Sequence, residues 1–197
     1  MKKLFLLLLL LWQYNIFAQS DSLQNELFQL NAGLSINPQQ LFIGSLDMGV
    51  GASIESQPAN NYLSVLVAAD FRNRWFTVPI AENAGTKGLK THYALTGLGS
   101  AGIGICFFDK TFRKKNAFYF IVAPRFYLYK ETVDNEYFEN TVSRNTTGVN
   151  YGLTWSNTVI SKKGKRIHTQ FYLPLFGGHF LDEMKYMNLR IGLQLFK

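Results

Sequence analysis

Cysteine is almost absent: the 197-residue chain holds one. That excludes an internal disulfide and any zinc or iron–sulfur site built on several cysteines. Charge is scarce as well. Asp, Glu, Lys and Arg make up 17% of the chain, where an ordinary soluble domain carries about a quarter. Yet 47% of residues are apolar and 15% aromatic, which is too rich for a disordered chain. Beyond the first residues, no apolar run approaches the roughly 18 residues of a membrane-crossing helix. The length suits one domain with a real core, and the formal net charge is +7.

The first residues read as an address. Lys2 and Lys3 precede an apolar run over 4–12, and a polar stretch ends at Ala18. Ile16 and Ala18 occupy the two positions that a signal peptidase reads before Gln19. This predicts a signal peptide over 1–18, a short linker over 19–26 and one β-domain over 27–197. No Cys follows the cleavage point, so the usual lipoprotein pattern is missing. Without a helix to cross with, such a chain enters a membrane only as a closed sheet.

What the sequence does contain is period-two alternation. Phe28, Leu30, Ala32, Leu34 and Ile36 alternate with Gln29, Asn31, Gly33 and Ser35. The turn 37–40 follows, and then a segment carries Met48, Val50, Ala52 and Ile54 against Asp47, Gly49, Gly51 and Ser53. Comparable segments run over 63–72, 92–107, 118–128, 149–159, 167–175 and 187–195. Alternation of this length marks strands with one apolar and one polar or small face. The prediction is an all-β fold, an eight-stranded antiparallel up-and-down barrel.

Alternation alone does not say which face points inward. A soluble lipocalin-like carrier turns its apolar face in, towards a ligand. A transmembrane β-barrel turns it out and fills a polar lumen. Asp47, Asp70, Arg72, Arg125 and Arg190 all fall on the polar phase, near strand middles. In a soluble barrel they would be exposed; in a membrane barrel they would form an enclosed charge cluster that must pair internally. Segment lengths of roughly ten residues suit a tilted bilayer crossing. The links at 56–61, 109–116 and 161–166 are short, while those at 77–90, 132–146 and 177–185 are longer. Only the first link, at 37–40, breaks the trend by being short; short turns at one end and long loops at the other is the membrane-barrel arrangement. Aromatics such as Tyr62, Trp75, Phe107, Phe118, Tyr127, Tyr129 and Tyr172 lie towards segment ends, where a bilayer interface favours them.

In this pattern the chain resembles the small outer-membrane β-barrel proteins of Gram-negative bacteria, the OmpA- and OmpX-like class. The resemblance covers most of 27–196 and is most local in the last segment, Arg190-Ile191-Gly192-Leu193-Gln194-Leu195-Phe196. It implies a cell outer-membrane location among outer-membrane lipids, and recognition of that segment by the barrel-assembly machinery. Lys197 follows Phe196, and Phe196 falls on the polar phase, which departs from the pattern. Pro124 and Pro174 each remove a ladder donor, so a bulge or frame break is expected near both. A weaker similarity, through the Asp109-Lys110 turn before an aromatic strand, is to outer-membrane proteins associated with conjugative transfer.

Other motifs yield to plainer readings. Gly97-Leu98-Gly99-Ser100-Ala101-Gly102 spells a dinucleotide fingerprint, but strand follows where a helix should begin. Arg113-Lys114-Lys115 and Lys162-Lys163-Gly164-Lys165-Arg166 read as polar hairpin tips, not nucleic-acid sites. Cys106 shares the small-residue phase and reads as an inert lumen side chain. His92, His168 and His179 offer the acid–base groups of a barrel enzyme acting on lipid or peptide, but no G-x-S-x-G marks a nucleophile. The expectation is therefore a non-enzymatic, membrane-anchored scaffold or surface-interaction protein with a plugged lumen. It has no catalytic residues, cofactor or metal, and its partner would engage loops at 83–90, 131–144 and 177–186.

Overall fold

The computed structural model describes residues 28–42, 45–56, 62–79, 88–135, 139–176 and 183–196. The expected signal segment and linker lie outside these residues, as do His179 and most of the expected loops 83–90 and 177–186. The eight strands are β1 (Phe28–Ile36), β2 (Asp47–Ser56), β3 (Leu63–Pro79), β4 (Gly88–Phe108), β5 (Lys114–Asn135), β6 (Glu139–Ile160), β7 (Arg166–Phe176) and β8 (Asn188–Phe196). Each pairs with the next, and β1 also pairs antiparallel with β8. The fold is an eight-stranded up-and-down barrel, as the alternation predicts.

Closure fixes which face is which. Val50, Leu34 and Ile103, all more than 60% exposed, point out of the barrel, as do Val67, Phe71, Phe120, Leu153, Ile191 and Leu193. Their neighbours Asn31, Ser53, Asp70, Ser100, Asn150 and Thr154 point in and are buried. The barrel is thus apolar outside, and inside it is polar apart from a buried apolar cluster of Leu66, Ala68, Leu98, Ile121 and Ala123 on the inner faces of β3 to β5. Tyr62, Trp75, Phe107 and Phe118 belong to the outer face, whereas Tyr172 and Tyr186 are buried within.

One end carries tight turns. Asp109 Oδ1 accepts the backbone N–H groups of Arg113 and Lys114 at 2.8 and 2.9 Å, and Oδ2 accepts the Thr111 hydroxyl. Thr111 and the two turn amides hold the Asp109 carboxyl below its usual range. In the neighbouring turn, Gly164 sits at φ 75°, a left-handed conformation that glycine adopts without cost. The other end differs from the expected long loops. Segments 77–79 and 88–90 are paired strand, as are 132–135 and 139–146. Strands β3 to β6 therefore run 17 to 22 residues, while β1, β2, β7 and β8 stop after 9 to 11. The result is a four-stranded sheet projecting beyond one side of the barrel. On the short side, the expected turn at 37–40 is the start of a small helix, α1 (Pro38–Phe42). Asn37 Oδ1 caps it by accepting the Gln39 N–H at 2.9 Å, with Pro38 as the first helical residue.

The two prolines behave differently. At Pro174 the β6–β7 register shifts between Tyr151 and Gly152, the expected bulge. At Pro124 the register with β4 is unchanged from Leu98↔Arg125 to Ala101↔Val122, and only the intervening pairs are lost. A third irregularity, between Leu30 and Asn31, brings Phe196 into register with Leu30.

Three glycines lie side by side across the closing seam: Gly192, Gly33 and Gly51, in register with Asp70 on β3. A Cβ on Gly33 would strike the Ile191 carbonyl and the Gly192 Cα, and one on Gly51 would strike the Asp70 carboxylate beside Arg190. These glycines form a floor that lets a side chain of β8 cross to β3. Gly33→Ala should lower unfolding stability by about 1–3 kcal/mol, because the obstruction is backbone and cannot swing aside. Denaturant unfolding checks this, and an unchanged midpoint would show that the seam does not need the glycine.

Candidate functional site

The lumen is the densest polar feature of the fold. Its inward positions meet because side chains on one face of eight strands converge on an interior too narrow for anything else. Arg190 crosses the glycine floor to Asp70 at 3.3 Å and donates to Gln170. Towards the projecting end, Arg72 lies 3.9 Å from Asp47 and donates to the carbonyls of Met187 and Lys185 at 2.5 and 3.0 Å. Asn188 Oδ1 accepts the Ser35 hydroxyl at 2.5 Å and Arg72 at 3.3 Å. Asn37 donates to the Lys185 carbonyl at 2.8 Å. These contacts fasten α1 and a 3₁₀ turn at Met184–Tyr186 over the mouth of the barrel. Arg125 completes the closure, bonding Glu183 at 2.8 Å with its guanidinium over the Tyr186 ring at 4.2 Å.

All five residues expected in the charge cluster thus face inward, and each contributes to an ion pair. Arg72 feels the charges of both Asp47 and Asp70, Arg190 pairs with Asp70, and Arg125 takes a partner from the β7–β8 connection. A second centre lies at the turn end. Glu55, fully buried, accepts Lys115 Nζ at 2.8 Å, Ser156 Oγ at 2.5 Å and Tyr119 OH at 3.1 Å. Lys115 also donates to Gln29 Oε1 at 3.2 Å, and Ser64 bonds the Tyr119 hydroxyl at 2.8 Å. His168 lies 3.7 Å from Glu55 and bonds the Thr158 hydroxyl at 3.0 Å.

This corrects the reading of Lys115 as part of an exposed hairpin tip: it is the first lumen residue of β5, 1% exposed. Glu55 was equally legible, since it shares the phase of Asp47 and Ser53, but the expected segment stopped one residue short. Glu183 carries no periodic signal, being outside any strand. Among the described residues, four lumen acids (Asp47, Glu55, Asp70, Glu183) face four bases (Arg72, Lys115, Arg125, Arg190), one to one. A low-dielectric interior tolerates charge only in such pairs. Cys106 is buried on the same inner face, and the Gly97–Gly102 motif lies wholly within β4.

The inner face of the projecting sheet holds a second set of ionisable groups. Lys90 Nζ meets Glu131 at 2.8 Å, and Tyr129 OH donates to the other Glu131 oxygen at 2.5 Å. His92 stacks on Phe76 with centroids 4.5 Å apart, and its Nδ1 lies 2.6 Å from Tyr129 OH. Since the phenol proton goes to Glu131, this contact needs the imidazole proton on Nδ1. Lys90 and Tyr129 hold the Glu131 carboxyl low. Partial burial, then the Glu131 charge, push Tyr129 up to about 12. Partial burial lowers His92, with Lys90 and Arg74 adding to the effect and Glu131 opposing it. Nearby, Arg74 donates to Tyr127 OH at 3.2 Å and to Gln40 of α1, and Lys185 Nζ lies 4.9 Å from the Tyr127 ring centre.

Comparison of the sequence with protein-family models and with curated proteins found no match to either. No group of three or more metal-binding side chains occurs among the described residues.

Two measurements probe these networks. Glu55→Ala should cost about 3–5 kcal/mol by leaving Lys115 buried without a counter-charge, while replacing both Glu55 and Lys115 with Met should recover most of it. Equal losses for the single and double variants, measured by denaturant unfolding, would deny the pairing. For His92, a depressed native pKa means that its contribution to stability is complete above the ordinary value of 6.5 and is lost as pH falls towards the native one. An NMR titration should place its midpoint below 6.5, and lower still in Glu131→Gln. A midpoint above 6.5 would contradict the arrangement.

Proposed function

We propose that the chain is an exported outer-membrane β-barrel, a non-enzymatic anchor that presents its projecting sheet to a partner while its lumen stays plugged. The observation that carries this reading is the sidedness of the closed barrel. Its outer surface is a continuous apolar belt: Leu34, Val50, Val67, Ile103, Phe120, Leu153 and Leu193 lie on seven different strands. A soluble protein rarely exposes an apolar surface of that extent, whereas lipid requires one. A ligand carrier of the lipocalin kind needs the opposite arrangement, an apolar interior.

The limits of the belt agree with this. On β6 the last outward apolar residue is Val149, after which Thr147, Asn145, Ser143 and Thr141 follow. On β5 it is Leu128, followed by Lys130, Thr132 and Asp134. Each strand keeps about ten residues within the belt, the length of a tilted bilayer crossing, and the projecting sheet stands clear of it. The four ion pairs and the α1 lid fill the interior with side chains, which favours an anchor over a wide pore.

Cell fractionation of the tagged protein, followed by gel electrophoresis with and without boiling, tests the reading. The protein should stay with the outer membrane through a urea wash and migrate faster when unheated. Recovery as a soluble periplasmic protein would refute it.

A further inference from the structure

We propose that the outer face of the projecting sheet binds an extended, uncharged polysaccharide along a row of threonine hydroxyls that crosses β3 to β6. The proposal rests on the membrane reading above and names the partner that this sheet would meet. Thr77 on β3 pairs with Thr91 on β4, Thr91 with Thr132 on β5, and Thr132 with Thr141 on β6. One threonine from each strand thus stands in a single line across the sheet. Trp75, two residues before Thr77, shares the outward phase of Phe71 and Val67, so the line lies on the outer face. Thr77 and Thr141 are exposed, Thr91 and Thr132 half-buried.

Threonine is a good strand former, and a single one here would need no further explanation. A line of them presents something that a scattered set does not. Neighbouring strands lie about 4.8 Å apart, so the hydroxyls recur at a step close to the length of one pyranose unit. The Thr77 and Thr91 hydroxyls lie 3.4 Å apart, those of Thr132 and Thr141 3.1 Å apart. In each pair one hydroxyl donates and the other accepts, which leaves the acceptor's own proton free to turn outward. The line therefore offers both donors and acceptors, the same dual character that sugar hydroxyls have.

The rows on either side select the guest. Towards the barrel, Trp75 pairs with Tyr93; they are 72% and 37% exposed, and their adjacent rings form an apolar shelf beside the hydroxyls. The C–H face of a pyranose ring can cover such a shelf while its hydroxyls reach the threonines. On the far side Asp134 and Glu139, both exposed, pair across β5 and β6. Their charges oppose a saccharide bearing phosphate or carboxylate, and Lys130, paired with Tyr93, opposes a polycation. What remains is a neutral chain. A straight line and a flat shelf fit a β-1,4-linked ribbon and not a coiled α-1,4-linked chain. The row also climbs away from the apolar belt. Thr77 lies two residues past Trp75, whereas Thr141 lies eight past Val149, the last outward apolar residue of β6. A chain along this line rises out of the headgroup level, which suits a polymer in the medium and not the short saccharide of a membrane glycolipid.

The test uses the full protein in micelles of a zwitterionic, sugar-free detergent. Cellohexaose is the probe, maltohexaose the coiled control, and lipopolysaccharide the membrane glycolipid. Titration calorimetry should show saturable binding of cellohexaose, and binding of maltohexaose at least about tenfold weaker. The double variant Thr91→Val with Thr132→Val keeps the side-chain shape and β-branching but removes two hydroxyls, and should weaken cellohexaose binding about tenfold. Trp75→Ala should weaken it by a similar factor, while Trp75→Phe should retain most of it. An absence of saturable binding, equal binding of the two hexaoses, tighter binding of lipopolysaccharide, or unchanged binding by the threonine double variant would each overturn the proposal. Heat-modifiable mobility measured on the same samples reports the barrel separately, so failure of the hydroxyl row and failure of the membrane reading are distinguishable.

Discussion

The crossing of Arg190 from β8 to Asp70 on β3, over Gly192, Gly33 and Gly51, is the contact on which the rest depends. It spans the seam where the first strand meets the last. A barrel whose ends did not meet would expose the paired polar faces of eight strands to whatever surrounds it. The seam itself is short, since β1 and β8 have nine residues each, and glycine floors it so that backbones approach closely beneath a large charged side chain. Any side chain at those positions would separate the seam or displace the ion pair.

From that level the same constraint works in both directions along the axis. An eight-stranded lumen holds side chains and little else, so each ion within it needs a counter-ion within reach. Glu55 with Lys115 closes the turn end, Asp47 with Arg72 the projecting end, and Arg125 with Glu183 the lid above. The lid contacts are made to the carbonyls of Lys185 and Met187. The plug therefore belongs to the backbone as much as to side-chain identity. Outside the ring, the projecting sheet has the opposite character: its ionisable groups cluster at the surface around Glu131.

Much of this was legible in the chain. The phase of Asp47, Asp70, Arg72, Arg125 and Arg190 was readable because strand period two puts alternate residues on one face whatever the sheet packs against. Lys115 was misread because a basic triplet beside a turn resembles a solvated tip, and only the start of β5 at Lys114 puts it inside. The segments at 77–90 and 132–146 were read as long loops because their Thr, Asn and Glu content lacks an apolar face. Residues 77–79, 88–90, 132–135 and 139–146 are strand, because hairpin pairing supplies the backbone bonds that burial would otherwise reward.

Local alternation set the number of strands, their two faces and most of the residues that share the lumen. It also confined the charges to the polar phase. Tertiary structure alone decided that the apolar face points outward, since alternation is symmetric between the two sides of a sheet. It decided which base meets which acid, because register across non-neighbouring strands sets those distances. It decided, too, that Glu183 in a connection joins Arg125. Each of these depends on where the ring closes, and closure is a property of all eight strands together.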